Sequence, residues 1–175
     1  MKKTLSILFT AILLFSACKT SDQREKLLQK ITQAEQELFS NNLDPTLEKK
    51  QQLMDLYILF ANDFPQDSLT PDLLFRCANT AINSQQEKYA ITLYQRIYDE
   101  FPDHALRPVA LLNQALVYDN MGDAEHAKPL YEQFLVMFPD NPYAADVQQL
   151  LKMVGKSPEE WELLMQEFEN QEKTE

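Results

Sequence analysis

The sequence predicts an all-α fold, a right-handed α-solenoid of antiparallel helix pairs closed by a capping pair at the C-terminus. Three observations carry that expectation. A phrase recurs at Tyr57 to Pro65 (YILFANDFP), Tyr94 to Pro102 (YQRIYDEFP) and Tyr131 to Pro139 (YEQFLVMFP), its copies 37 residues apart, and a period of that length belongs to stacked supersecondary units. In each copy the tyrosine, an apolar residue three later (Phe60, Ile97, Phe134) and a phenylalanine seven later share one helical face, and proline then stops the helix. Finally, the chain has only two glycines, too few for a loop-rich or sheet-rich architecture.

Composition sets the outer bounds. With 45% hydrophobic and 25% charged residues, the 175-residue chain has ordinary globular content. Its net charge is -11, and without residues 1–17 the remainder holds 14 basic against 27 acidic residues, or -13. Nucleic acid is disfavoured, because binding phosphates needs a basic face. A basic partner surface suits this charge better.

Residues 1–17 have the layout of a secretory signal: Lys2 and Lys3, an apolar stretch dominated by Leu5 to Phe15, then Ser16 and Ala17. The apolar run is shorter than the roughly 20 residues a spanning helix needs. Leu14-Phe15-Ser16-Ala17-Cys18 resembles the lipobox of bacterial lipoproteins, with Phe15 where leucine is commoner. That resemblance implies that residues 1–17 are a lipoprotein signal peptide and that Cys18 becomes the first mature residue, acylated (palmitate among its chains) on thiol and amine. Several acyl chains anchor firmly where one is marginal. A plain secretory signal ending near Cys18 is the alternative. Lys19, rather than aspartate, after the cysteine favours the outer membrane of a double-membraned bacterium. Cys77 is the only other cysteine, so no intramolecular disulfide is available once Cys18 is lipidated, and Cys77 is expected as a small buried hydrophobe.

Residues 18–24 are expected as a polar tether and 25–154 as helical repeats. Leu27, Leu28, Ile31, Ala34 and Leu38 fall at helical spacing before a break at Asn41 to Pro45, where Asp44-Pro45 has the form of an N-cap followed by proline. The second helix runs to about Phe64 with Leu53, Leu56, Tyr57 and Phe60 inward. Thr70-Pro71-Asp72 repeats the start signal for a helix with Leu74, Phe75, Ala78, Ala81 and Ile82 inward, turning at Ser84 to Gln86. The fourth helix carries Tyr89, Ala90, Leu93, Tyr94, Ile97 and Phe101; the fifth starts at Pro108 and carries Leu111, Leu112, Ala115, Leu116 and Tyr118. Gly122 is expected as a left-handed cap and Asp123 as the next N-cap, ahead of Ala127, Leu130, Tyr131, Phe134 and Phe138. Asn141-Pro142 opens a seventh helix with Ala145, Val147, Leu150, Leu151 and Val154 inward. Residues 155–175 form the capping helix and acidic tail, entered through a capping box, Ser157-Pro158-Glu159-Glu160, with Trp161 packing into the cap.

The unit from Pro108 to Asn141 resembles the tetratricopeptide repeat (TPR), a 34-residue helix-turn-helix. Leu111, Gln114, Ala115, Tyr118, Ala127, Tyr131 and Pro139 match its spacing, with Gly122-Asp123 in the turn. Identities depart at Leu111 for Trp, Gln114 for Leu and Ala115 for Gly, and Gln114 is the least tolerable of these. The preceding unit matches better in its second helix (Ala90, Tyr94, Ile97, Pro102), and the first unit only in its second. Each linker is three residues longer than the minimal repeat. Long linkers, Phe-Pro endings and a lipobox together resemble the TPR lipoproteins of the bacterial envelope, such as the outer-membrane assembly lipoprotein BamD, and the TPR domain of the periplasmic TolA-binding protein.

The resemblance implies binding through a concave face lined by first helices. By repeat register that face is Asp72, Phe75, Asn79, Ile82 and Asn83, then Val109, Leu112, Leu116, Asp119 and Asn120. Apolar side chains supply burial there and asparagine amides can bond a peptide backbone, which suits an envelope protein or peptide with basic residues. Phe75, Leu112 and Leu116 equally suit contact with neighbouring helices. No lysine or arginine occupies these positions, so the carboxylate clamp of some TPR domains is not expected. His104 falls in a linker and His126 on the outer side of a helix, neither in the company of a metal site or triad. The expected function is therefore that of a membrane-anchored, non-enzymatic scaffold with no cofactor and no metal. A ligand-capturing surface lipoprotein, or a non-catalytic subunit of an envelope enzyme, is the alternative.

Overall fold

The computed structural model describes residues 21–38, 45–157, 159–160, 162–163 and 166. The signal segment, Cys18, the break at 41–44, Trp161 and the tail from 167 lie outside the described residues. Among the described residues every regular element is helical: α1 (residues 21–38), α2 (Leu47–Asp63), α3 (Thr70–Ile82), α4 (Glu87–Glu100), α5 (Leu106–Asn120), α6 (Ala124–Met137) and α7 (Ala144–Met153). The all-α, TPR-like class predicted from the repeat is the one observed. The chain divides into two compact units, Met1–Gln86 and Glu87–Glu175.

In the first unit α1 buries Leu27, Ile31 and Leu38, one face at four- and seven-residue spacing. It starts earlier than expected. Residues 21–24, assigned to the tether, are helical, because their side chains find partners on the repeat: Gln23 Nε2 donates to Asp63 Oδ2 at 3.1 Å, and Arg24 forms a two-pronged pair with Asp67, its Nε on Oδ2 and its Nη2 on Oδ1 at 3.0 Å. The same guanidinium lies 5.9 Å from the centre of the Phe60 ring. Further along, Glu35 Oε1 accepts the Tyr57 hydroxyl at 2.6 Å and Arg76 Nη1 at 2.8 Å, joining α1 to both α2 and α3.

The starts of α2 and α3 also differ from the expected ones, and α5 begins at Leu106, two residues ahead of Pro108. The N-cap of α2 is Thr46 rather than Asp44, its hydroxyl accepting from Lys49 N at 3.4 Å. Thr70 is the first residue of α3, not a cap; it is fully buried and its hydroxyl donates to Phe64 O at 2.6 Å, fastening α3 to the foot of α2. Asp67 holds the turn instead, accepting from Leu69 N at 3.0 Å. The inner face of α3 is Leu73, Leu74, Cys77, Ala78 and Ala81, and Cys77 is wholly buried as expected. Phe75 and Ile82, expected inward, are half-buried. The α3 turn closes through Gln85 in the left-handed region, φ 58°.

The second unit centres on Tyr98, Leu111, Leu112, Ala115, Ala127, Tyr131, Phe134 and Val147, with Leu116, Leu130, Phe138, Leu150 and Leu151 packed around them. The Phe-Pro foot recurs with the same backbone in both units: Phe64 (φ -130°, ψ 59°) and Phe138 (φ -134°, ψ 54°) each donate N–H to the carbonyl four residues back at 2.8 Å, and each ring tilts against the phenylalanine one turn earlier, at 5.1 and 5.6 Å. Gly122 takes the left-handed conformation expected of it, φ 75°, and Asp123 caps α6 by accepting from His126 N at 3.2 Å. In α7 the buried alanine is Ala144, not Ala145, because Ala144 lies three residues before the fully buried Val147 and shares its face. Gly155, φ 75°, lies where a Cβ would come within 2.9 Å of the Ala124 side chain. The capping box forms, with Ser157 N on Glu160 Oε2 at 2.8 Å and Glu160 N on Ser157 Oγ at 3.3 Å.

The Arg24 and Asp67 pair gives the first unit a defined acid limb. Its hydrogen bond from Arg24 holds the Asp67 carboxyl below its ordinary value, so the pair stabilises fully above the unfolded carboxylate pKa and loses that contribution as pH falls through the lowered folded value. Arg24→Ala is expected to cost no more than about 1 kcal/mol, because the guanidinium is partly exposed to solvent, and to flatten the loss of stability below pH ~4. Urea titrations of both proteins across that range check it.

Candidate protein-binding faces

The two strips of the expected groove fall one in each unit, and each stands on its own helix. On α3, Asp72, Phe75 and Ile82 are half-buried while Asn79 and Asn83 are exposed. Their spacing sets an apolar pair within an amide-bearing border, a surface able to take side-chain burial and backbone hydrogen bonds together. Lys50 from α2 reaches this end of α3, its Nζ donating to Asn83 O at 3.4 Å. A cation thus stands beside a strip that has none of its own.

On α5 the strip is more deeply committed to the interior. Leu112 is 7% exposed and belongs to the core, and Leu116 packs against that core. Asp119 Oδ2 accepts the Tyr131 hydroxyl at 3.0 Å. Val109 is half-buried and Asn120 exposed, so these two hold the accessible part of the α5 strip.

The repeated tyrosines explain why polar side chains gather beside the first helices. Burial raises the pKa of Tyr57, Tyr94 and Tyr131 above its ordinary value, and in Tyr57 and Tyr131 the adjoining Glu35 and Asp119 carboxylates raise it further. Each hydroxyl therefore stays protonated, and each finds a hydrogen-bond partner on a neighbouring helix. Tyr94 bonds the Asn113 side chain. The Tyr57 and Tyr131 phenols find carboxylates.

Three features arise from contacts between helices. Arg107 stacks over the Tyr98 ring at 4.6 Å while its Nε donates to Tyr98 O at 3.2 Å, tying the start of α5 to the end of α4. Gln133 Nε2 donates to the Tyr98 hydroxyl at 2.9 Å. Gln114, the poorest match to the repeat pattern, is 5% exposed and donates through Nε2 to Gln95 Oε1 at 2.8 Å, yet its own Oε1 is buried without a hydrogen-bond partner. For Gln114 the signal was present, a polar residue at a position where the pattern asks for leucine. For Arg107 and Gln133 no one-dimensional signal exists, since both act on a residue of another helix.

His126 is exposed on the outer side of α6, as expected. Its Nδ1 lies 2.8 Å from Asp123 Oδ2, and its ring stacks on Tyr118 at 4.9 Å. His104, in the linker before α5, accepts Leu106 N on Nδ1 at 3.2 Å. Among the described residues no group of three or more His, Cys, Asp or Glu could hold a metal ion.

With this geometry in place, the comparison with protein families falls on the second unit. Residues 109–141 match the tetratricopeptide repeat family model. The matched span takes in α5 from Val109, the Gly122 turn, α6 and its Phe-Pro foot, the same unit in which all seven pattern positions keep their spacing. The match supports reading the chain as a tetratricopeptide repeat protein. TPR units are typically non-catalytic modules that bind other proteins. No curated protein matches the chain.

Two measurements test the site chemistry. Gln114→Leu removes the orphaned carbonyl and restores the pattern residue, and is expected to stabilise the protein by about 1 kcal/mol in chemical denaturation. For His126, the Asp123 carboxylate raises the imidazole pKa and is itself lowered. The imidazolium contribution is complete below the unfolded value and fades as pH rises through the raised folded value; that of Asp123 is complete above its unfolded value and fades as pH falls through the lowered one. The pair is thus strongest from about pH 4 to 6.5. NMR titration is expected to place His126 above the free-imidazole value, and Asp123→Asn to return it there.

Proposed function

We propose that this protein is a scaffold lipoprotein of the bacterial envelope, anchored at the outer membrane through acyl chains on Cys18, and binding another protein or a peptide through the first-helix strips. The observation that carries the binding role is the tetratricopeptide repeat at residues 109–141. Support for the anchor comes from the Leu14 to Cys18 string and the basic-apolar-small layout before it. Among the described residues no helix is long and apolar enough to cross a membrane.

The binding elements are the accessible members of the strips: Phe75, Ile82 and Val109 for burial, Asn79, Asn83 and Asn120 for hydrogen bonds to a peptide backbone. Leu112 and Leu116 act from behind, as the packing that holds Val109 and Asn120 in place. The net charge suits a partner with basic residues. The process we propose for it is outer-membrane assembly or envelope maintenance.

The test is crosslinking capture from intact envelopes with the full lipidated chain beside an Asn79→Arg, Asn120→Arg double variant. Both asparagines are exposed, so the variant is expected to keep its circular dichroism and Tm. One envelope protein captured by the wild type and lost from the variant is the expected result. The same capture by both proteins overturns the strips as the binding surface. Palmitate incorporation that survives Cys18→Ser overturns the anchor.

A further inference from the structure

An open cavity of about 350 Å³ lies between α1 and α2 in the first unit, lined by Asp22, Gln23, Lys26, Leu27, Lys30, Leu59 and Asp63. Leu27 and Leu59 give it apolar walls, and Leu59 is 47% exposed. Two ammonium groups and two carboxylates stand on the rim, with Lys26 Nζ 2.7 Å from Asp22 Oδ2. A surface of this kind offers burial below and charges of both signs above.

Its position follows from the chain. Residue 21, where α1 is already helical, is only three positions beyond Cys18, and three steps of chain reach at most roughly 11 Å. The start of α1 has no freedom of its own, since Gln23 and Arg24 fasten it to Asp63 and Asp67. An anchor on Cys18 therefore holds the cavity near the bilayer surface rather than at the end of a flexible tether. The headgroup zone of one leaflet is itself about 5–8 Å deep.

The geometry points to this cavity as a contact site for phospholipid headgroups, an inference that rests on lipidation of Cys18. Lys26 and Lys30 meet headgroup phosphate, Asp22 and Asp63 meet the ammonium of a zwitterionic lipid, and Leu59 enters the interface between headgroup and acyl chain. The protein then sits on the bilayer by this end of its first unit, and its orientation is set by the fold and not by the anchor alone.

The experiment uses the full lipidated protein in protein-free vesicles of phosphatidylethanolamine and phosphatidylglycerol. A spin label is placed at Leu59→Cys or at Leu47→Cys, which lies at the opposite end of α2 and is 61% exposed. The native cysteines do not interfere, because Cys18 is acylated on this reading and Cys77 is fully buried. Flotation reports the anchor, and collision with a water-soluble nickel chelate reports the contact. The expected result is a Leu59 label shielded several-fold relative to Leu47, with shielding lost in a Lys26→Glu, Lys30→Glu background that still floats. Flotation with equal exposure of the two labels overturns the contact and leaves the anchor standing. Shielding that persists in the charge-reversed background overturns the headgroup assignment, and shielding seen only in native envelopes identifies a protein occupant and overturns it too. Failure to float, with Cys18 unmodified, overturns both readings.

Discussion

A buried phenol must find an acceptor, and much of the arrangement of these helices follows from that requirement. Tyr57, Tyr94 and Tyr131 each lie in the interior of a helix pair, where a hydroxyl left without a partner would lose its bonds to water for nothing. Glu35 and Asp119 accept from Tyr57 and Tyr131, and the Asn113 side chain bonds Tyr94, each from a neighbouring helix. Each pair sets the rotation of one helix against the next, because a helix turned by one residue would carry the acceptor out of reach. The phenylalanines at the helix feet then close the ends, and the following proline prevents continuation.

The same requirement explains the polarity of the candidate binding strips. Acceptors that serve the tyrosines have to stand on the helices beside them, so Asp119 is at once a member of the α5 strip and the partner of Tyr131. Surface and interior are built from one set of residues on α5, whereas α3 has Phe75 and Ile82 half-exposed beside Asn79 and Asn83. The two strips differ in how much of their apolar area is available, and a ligand that depends on burial gains more from the α3 strip.

Charge acts at the margins of each unit. An acidic chain spends its few arginines on specific contacts: Arg24 on Asp67 and the Phe60 ring, Arg76 on Glu35, Arg107 on the Tyr98 ring and carbonyl. A planar guanidinium can bond a carboxylate in its own plane while resting on an aromatic face, which lysine cannot do. These contacts hold α1 to the first unit and orient the start of α5 in the second, so the helices that frame the candidate faces are positioned by arginine.

Period and composition alone determined the class of fold, the order of α1 to α7, the Phe-Pro feet, the Gly122 turn, the capping box at Ser157 and the buried state of Cys77. All of these are local: they depend on residues within a turn or two of one another, where helical geometry dictates what can meet. Helix starts were less legible, because Asp44, Thr46 and Thr70 all have the chemistry of a cap and only packing selects among them. Tertiary structure decided the rest. It drew residues 21–24 into α1 by supplying Asp63 and Asp67 from about forty positions away; it placed Leu112 in the core while leaving Phe75 half-exposed, and it buried Gln114 with one oxygen unmatched. Contacts between distant residues depend on how helices sit against each other, and a one-dimensional pattern holds the face each helix buries but not the partner it meets there.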